Sequence, residues 1–279
     1  MITRSLALGI ALPALIAGSV LWVAWRAWRR DVPVSASWSV APAFGLAFVA
    51  GYAVVVGWPP FPPVEATQRL VYEVLAAVPV LAVLVWRPAN VRFTSVVRAA
   101  FSCALPWLLL RPNIHYRWTT VEDIAWVGGL GTATFLYGLA LDASTRRNLG
   151  VVAPLNGCIA SSGLAIVAVL GHSALLGQLA GASTAALGAT CVVGLMQPRL
   201  ALAPAGTAIL AWIWAGLSIN VAFYAEGSPW ALLIVAAASL GGFATRPLPA
   251  TAGTWTRVLA TGSVSALFAG AAVFVAWRA

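Results

Sequence analysis

Apolar positions along the chain fall into ten blocks, separated by short links that carry the arginines, prolines and most of the acids. The blocks cover roughly 5–25, 39–57, 70–86, 93–111, 123–142, 150–170, 173–196, 204–225, 228–244 and 255–277. Most are about 17–25 residues long, which at about 1.5 Å per residue is the length a helix needs to cross a hydrocarbon core about 30 Å thick. The pattern predicts an all-α, polytopic transmembrane helical bundle of about ten spans with short loops, forming one domain over residues 1–279. The first block is not expected to be a cleaved signal peptide. Its apolar run reaches Trp25 and meets Arg26, Arg29 and Arg30 with no small-residue cleavage site between.

The fourth block is interrupted by Arg98, and charge placement decides whether to keep it. With ten spans, one side carries eleven arginines (26, 29, 30, 87, 92, 98, 146, 147, 199, 246 and 257) and the other five (4, 69, 111, 117 and 278). Without the fourth span the split falls to nine against seven. Cytoplasmic loops hold the excess of basic residues, so ten spans are expected, with both termini outside the cytoplasmic membrane. Glu65, Glu122, Asp123 and Glu226 fall on the arginine-poor side, and Asp31 and Asp142 on the other.

Composition agrees with the pattern. Hydrophobic residues are 61% of the chain and charged residues 8%, too few to clothe a water-soluble surface. The net charge of +9 comes from arginine alone, and these arginines stand singly or in pairs at block ends. They form no basic face of the kind nucleic acid requires. The lipid bilayer is the expected partner, beside membrane proteins or a second copy of the chain. The lack of lysine and the weight of alanine, glycine, arginine and tryptophan fit a GC-rich bacterial genome. Cys103, Cys158 and Cys191 lie inside apolar blocks without paired spacing and read as small hydrophobes.

Ionisable and amide side chains inside the blocks are the candidates for function. Glu65, Arg69 and Glu73 are four residues apart and share a helical face. Glu73 is therefore either a proton- or cation-binding carboxylate or, as the preferred reading, the interfacial partner of Arg69. Arg98 is expected to snorkel to the inner interface, with anion or lipid-phosphate binding as the alternative. Asn156, Gln178 and Asn220 are expected to bond to neighbouring helices, or else to line a substrate path. Gly177, Gly181, Ala185 and Gly188 form a small-residue face expected to pack a helix closely.

No metal site or cofactor is expected. His115 and His172 stand in links without ligand spacing, and no nucleophile elbow or phosphate loop is present. Enzyme chemistry is the less favoured reading. A small-molecule permease comes first, a non-catalytic membrane subunit or scaffold second, and a lipid-active enzyme a distant third.

Overall fold

The computed structural model describes residues 2–27, 37–86, 91–249 and 251–279. Arg29, Arg30, Asp31 and Arg87, which weigh in the charge count, lie outside the described residues. The elements are helices throughout: α1 (Ile2–Ala27), α2 (Val40–Val55), α3 (Ala66–Trp86), α4 (Val91–Leu109), the short α5 (Arg111–Tyr116), α6 (Thr120–Thr145), α7 (Val152–Leu170), α8 (Ala174–Met196), α9 (Ala205–Tyr224), α10 (Pro229–Ser239) and α11 (Thr254–Arg278). Single 3-10 turns occupy Ser37–Ser39 and Gly241–Thr245. The protein is an all-α transmembrane bundle.

Seven of these helices, α1, α3, α6, α7, α8, α9 and α11, are long and apolar enough to cross a membrane. The other three long elements depart from a uniform apolar rod. Helix α4 has 19 residues but includes Arg92 and Arg98. Helix α2 has 16 residues, about 24 Å of rise. The ninth block, expected as one span over 228–244, is an 11-residue helix that stops at Ser239 and continues as a 3-10 turn. The two together rise about 26 Å, and the turn meets Ser144 in the last turn of α6.

Links gather at two ends, as alternating spans require. At one end Arg69 Nη1 donates to Leu108 O at 3.1 Å and Tyr224 Oη to Leu109 O at 2.8 Å. A Cβ at Gly9 would meet Val55 at 3.3 Å, so α1 begins at this end. At the other end the Gly150 amide donates to Leu200 O at 2.9 Å and Arg257 Nη1 to Arg147 O at 3.3 Å. Arg146, Arg147, Arg199, Arg246 and Arg257 collect there, and Glu65, Glu122, Asp123 and Glu226 collect opposite. Two local signals fix the acid-bearing end. Gln68 Oε1 accepts from the amides of Val64 and Glu65 at the start of α3. Thr119 and Glu122 form a reciprocal capping box that starts α6. The proline-rich stretch after Gly57 lies against α3, where Tyr72 Oη donates to Pro59 O at 2.9 Å and the Tyr72 ring meets Phe61 edge-on.

Helix α9 is the axis of the bundle. Of its apolar window 78% is buried, against 22% for both α6 and α11. It packs on α2, α3, α4 and α6. Its glycines let neighbours in: a Cβ at Gly216 would stand 2.5 Å from Leu70 Cδ1 of α3. Helices α7 and α8 form the other principal contact, with α1 against α8 and α11 against α7. The small-residue face of α8 needs correction. A Cβ at Gly177 would run into Val169 and come within 3.1 Å of Ala165 O on α7, but one at Gly181 or Gly188 would meet nothing within 4 Å. Ala185 is half-buried. The helix meets α7 instead through positions such as Ala180, whose carbonyl accepts from Ser161 Oγ at 3.0 Å. Gly181→Leu should therefore leave detergent stability near that of the wild type. Gly177→Leu should lower it by about 1–3 kcal/mol, because a carbonyl on a packed helix cannot move aside. Equal melting of the two variants would remove this assignment.

Candidate functional site

Arg98 does not snorkel to the interface. It is buried between α4, α6 and α9, and its Nη1 lies 2.7 Å from Asp142 Oδ2. The other Asp142 oxygen accepts a hydrogen bond from Thr207 Oγ1 on α9, and Arg146 approaches to 4.0 Å from the surface. Asp142 sits in the last turn of α6, where the helix dipole disfavours an acid. Two arginines and a hydroxyl offset that cost. Arg98 Nη2 has no hydrogen-bond partner. Nearby, Trp212 of α9 stacks on Phe101 at 5.1 Å and donates to Ser102 Oγ at 3.1 Å, which locks α4 to α9.

A second polar cluster surrounds the break in α10. Asn156 of α7 donates to Ser239 O, the last residue of α10, and its carbonyl accepts from Ser265 of α11. Tyr137 of α6 shares a 2.7 Å hydrogen bond with Ser239 Oγ. Just beyond the break, Asn148 Nδ2 donates to Ser144 O and Gly242 O at 2.6 and 2.9 Å, and Thr245 Oγ1 donates to Asn148 Oδ1 at 3.0 Å. The Gly241-Gly242 pair permits this closeness. A Cβ at Gly241 would collide with Ser265 and stand 3.0 Å from Asn156 Oδ1. Asn156, Ser239, Ser265 and Tyr137 bond across helices, the arrangement that hydrogen bonding in an apolar medium favours.

Between the two clusters lies a small cavity of about 10 Å³, room for about one water. Thr145, Asn156, Thr207 and Trp214 line it, together with apolar side chains that include Ala153 and Leu210. Of the candidates named from sequence, only Asn156 borders it. Asn220 is buried but donates to Gly216 O of its own helix at 2.8 Å. It does not join another helix as expected. Gln178 is half-buried on α8 and joins neither asparagine.

Glu73 also departs from the preferred reading. It is 6% exposed, and neither carboxylate oxygen has a hydrogen-bond partner. Arg69, the partner expected for it, reaches instead to Leu108 O and Val64 O. The helix geometry explains this. Arg69 lies where the end of α4 offers unpaired carbonyls, and those capture the guanidinium. The remaining acids and histidines assemble nothing comparable. Among the described residues no group of three His, Cys, Asp or Glu could hold a metal ion. His115 is exposed, and His172 is an exposed turn residue with φ of 63°.

Sequence reasoning missed Asp142, Ser239, Ser265 and Asn148. One signal was available: Asp142 is an acid at the arginine-rich end of a span, in need of a partner. The others are common polar residues whose importance comes from which helices meet. Compared with known proteins, the chain matches no protein family, no curated protein and no solved structure.

Proposed function

We propose that the chain is a small-molecule permease of a bacterial cytoplasmic membrane. The observation that carries this reading is the interrupted helix α10, whose break lies inside the bundle among polar groups from α6, α7 and α11. Transporters use broken helices because the freed backbone and polar side chains offer a solute hydrogen bonds that a continuous apolar helix withholds, and this break lies toward the arginine-rich end, beside Ser144 and Asn148. The one-water cavity beside the break corresponds to a closed state between openings. On the arginine distribution, the arginine-rich end faces the cytoplasm and both termini face outward.

A non-catalytic subunit or scaffold is the second reading. The dryness of the interior favours it, as do the largely uncovered faces of α1, α6 and α11, which offer apolar surface to lipid or to another protein.

One experiment separates the two. Ala153, buried and lining the cavity, is changed to cysteine in a protein whose Cys103, Cys158 and Cys191 are serine. Sealed vesicles of known orientation then receive a thiol reagent from one side at a time. A permease exposes position 153 to each side in turn, so labelling is expected from both. Protection from both sides ends the permease reading. Cysteines at the exposed positions Thr119 and Arg147 serve as orientation markers, with Thr119 expected to react only from outside.

A further inference from the structure

Glu73 belongs to neither polar cluster, and its surroundings account for no ordinary structural role. Helix α3 packs against α2, α4, α9 and the turn Ser37–Ser39. The titratable groups these bring are Tyr52 from α2, Arg92, Arg98 and Cys103 from α4, and Tyr224 from α9; the turn brings none. On α3 and its approach stand Glu65, Arg69 and Tyr72. None of these groups pairs with the Glu73 carboxylate. Arg98 holds Asp142, Arg69 holds carbonyls of α4 and of residue 64, Tyr72 holds Pro59 O, and Tyr224 holds Leu109 O. Arg92 and Cys103 are exposed. Tyr52 is buried, and its hydroxyl makes no hydrogen bond to Glu73.

The position of Glu73 on α3 follows from its neighbours. Arg69, one turn earlier, reaches α4, and Leu70 rests on Gly216 of α9. Residue 73 shares the face of both, so it sits along the seam where α3 meets α4 and α9. A carboxylate left charged and unpartnered in such a seam is costly, and a proton removes that cost. A leucine would pack there without any such penalty. The acid is useful at this position if its proton can come and go.

We propose that Glu73 is a proton-binding site, a neutral carboxyl whose proton exchanges with bulk water when the α3–α4–α9 seam opens. Its use as a coupling site rests on the permease reading; the exchange itself does not. Infrared spectra of the full chain in bilayers at neutral pH, in H2O and then in D2O, test it directly. The expected result is a protonated-carboxyl C=O band that moves to lower frequency in D2O and is missing from Glu73→Gln. Should that variant fail to fold, carboxyl-labelled glutamate in the wild type assigns the band to glutamate instead. No protonated-carboxyl band at neutral pH overturns the proposal, since Glu73 is then ionised. A band that never moves in D2O overturns it too, since the proton is then trapped. A band that survives Glu73→Gln, or that carboxyl-labelled glutamate leaves unmoved, belongs to another acid and does the same. Labelling at position 153 is read separately, so the proton site and the permease reading can fail independently.

Discussion

Asp142→Asn is expected to destabilise the bundle by about 3–5 kcal/mol, seen as a lower denaturation midpoint in detergent. The reason is the charge it leaves behind. Arg98 is buried, its Nη1 is held by Asp142 at 2.7 Å, and its Nη2 has no partner. Removing one member of a buried ion pair leaves an uncompensated charge, which costs far more than the pair itself contributes. A guanidinium cannot escape by losing a proton, whereas a carboxylate can escape by gaining one. Arg98→Met should therefore cost less than Asp142→Asn, with Thr207 and Arg146 still at hand for the carboxyl. The double variant Arg98→Met/Asp142→Leu should recover most of the loss, since apolar side chains of similar size satisfy the same space. The double-mutant cycle reads the coupling directly. If Asp142→Asn melts like the wild type, the pair has no structural role and Arg98 is free to reach the interface.

This pair also marks the limit of what the sequence disclosed. Block boundaries were legible because the apolar runs end in or beside glycine, proline or charged residues, which either stop a helix or need water. The expected spans 150–170, 173–196 and 204–225 became helices Val152–Leu170, Ala174–Met196 and Ala205–Tyr224. The charge argument kept the fourth span; α4 packs against α3, α6 and α9 but is not among the seven helices long and apolar enough to cross a membrane. Lateral neighbours were not legible. Arg98 and Asp142 are 44 positions apart, and hydrophobic periodicity states only that both lie near the same end. The reading of Glu73 failed for a related reason. Spacing of four made Arg69 a plausible partner, but the Leu108 carbonyl at the end of α4, invisible along α3, competes for it and wins. A glycine pair such as Gly241-Gly242 in an apolar block signals close packing. That it ends an α-helix depends on Asn156, Ser265 and Ser144, which approach from three other elements.

Gly242→Ala tests how firmly that break is seated, with an expected cost of about 2–4 kcal/mol. A Cβ at residue 242 would lie 2.7 Å from Ser144 O and 2.9 Å from Asn148 Nδ2. The carbonyl belongs to the last turn of α6 and has little freedom, so the 241–245 turn must give way. Overpacking of this kind costs about 1–3 kcal/mol. The displacement also pulls Gly242 O from Asn148, and a buried group left without its partner adds about 1–3 kcal/mol, part of which relaxation recovers. Gly270→Ala is the control. Nothing lies within 4 Å of its added methyl, and alanine is the better helix former, so that variant should equal or slightly exceed the wild type. The comparison bears on mechanism as well as stability. A costly Gly242→Ala means that α6 and the 241–245 turn move as one body. On the permease reading, opening at the break would then fall on its other side, where Asn156 and Ser265 close it from α7 and α11. If Gly242→Ala is as stable as the control, the turn yields easily against α6, and on the permease reading the break itself would serve as the hinge.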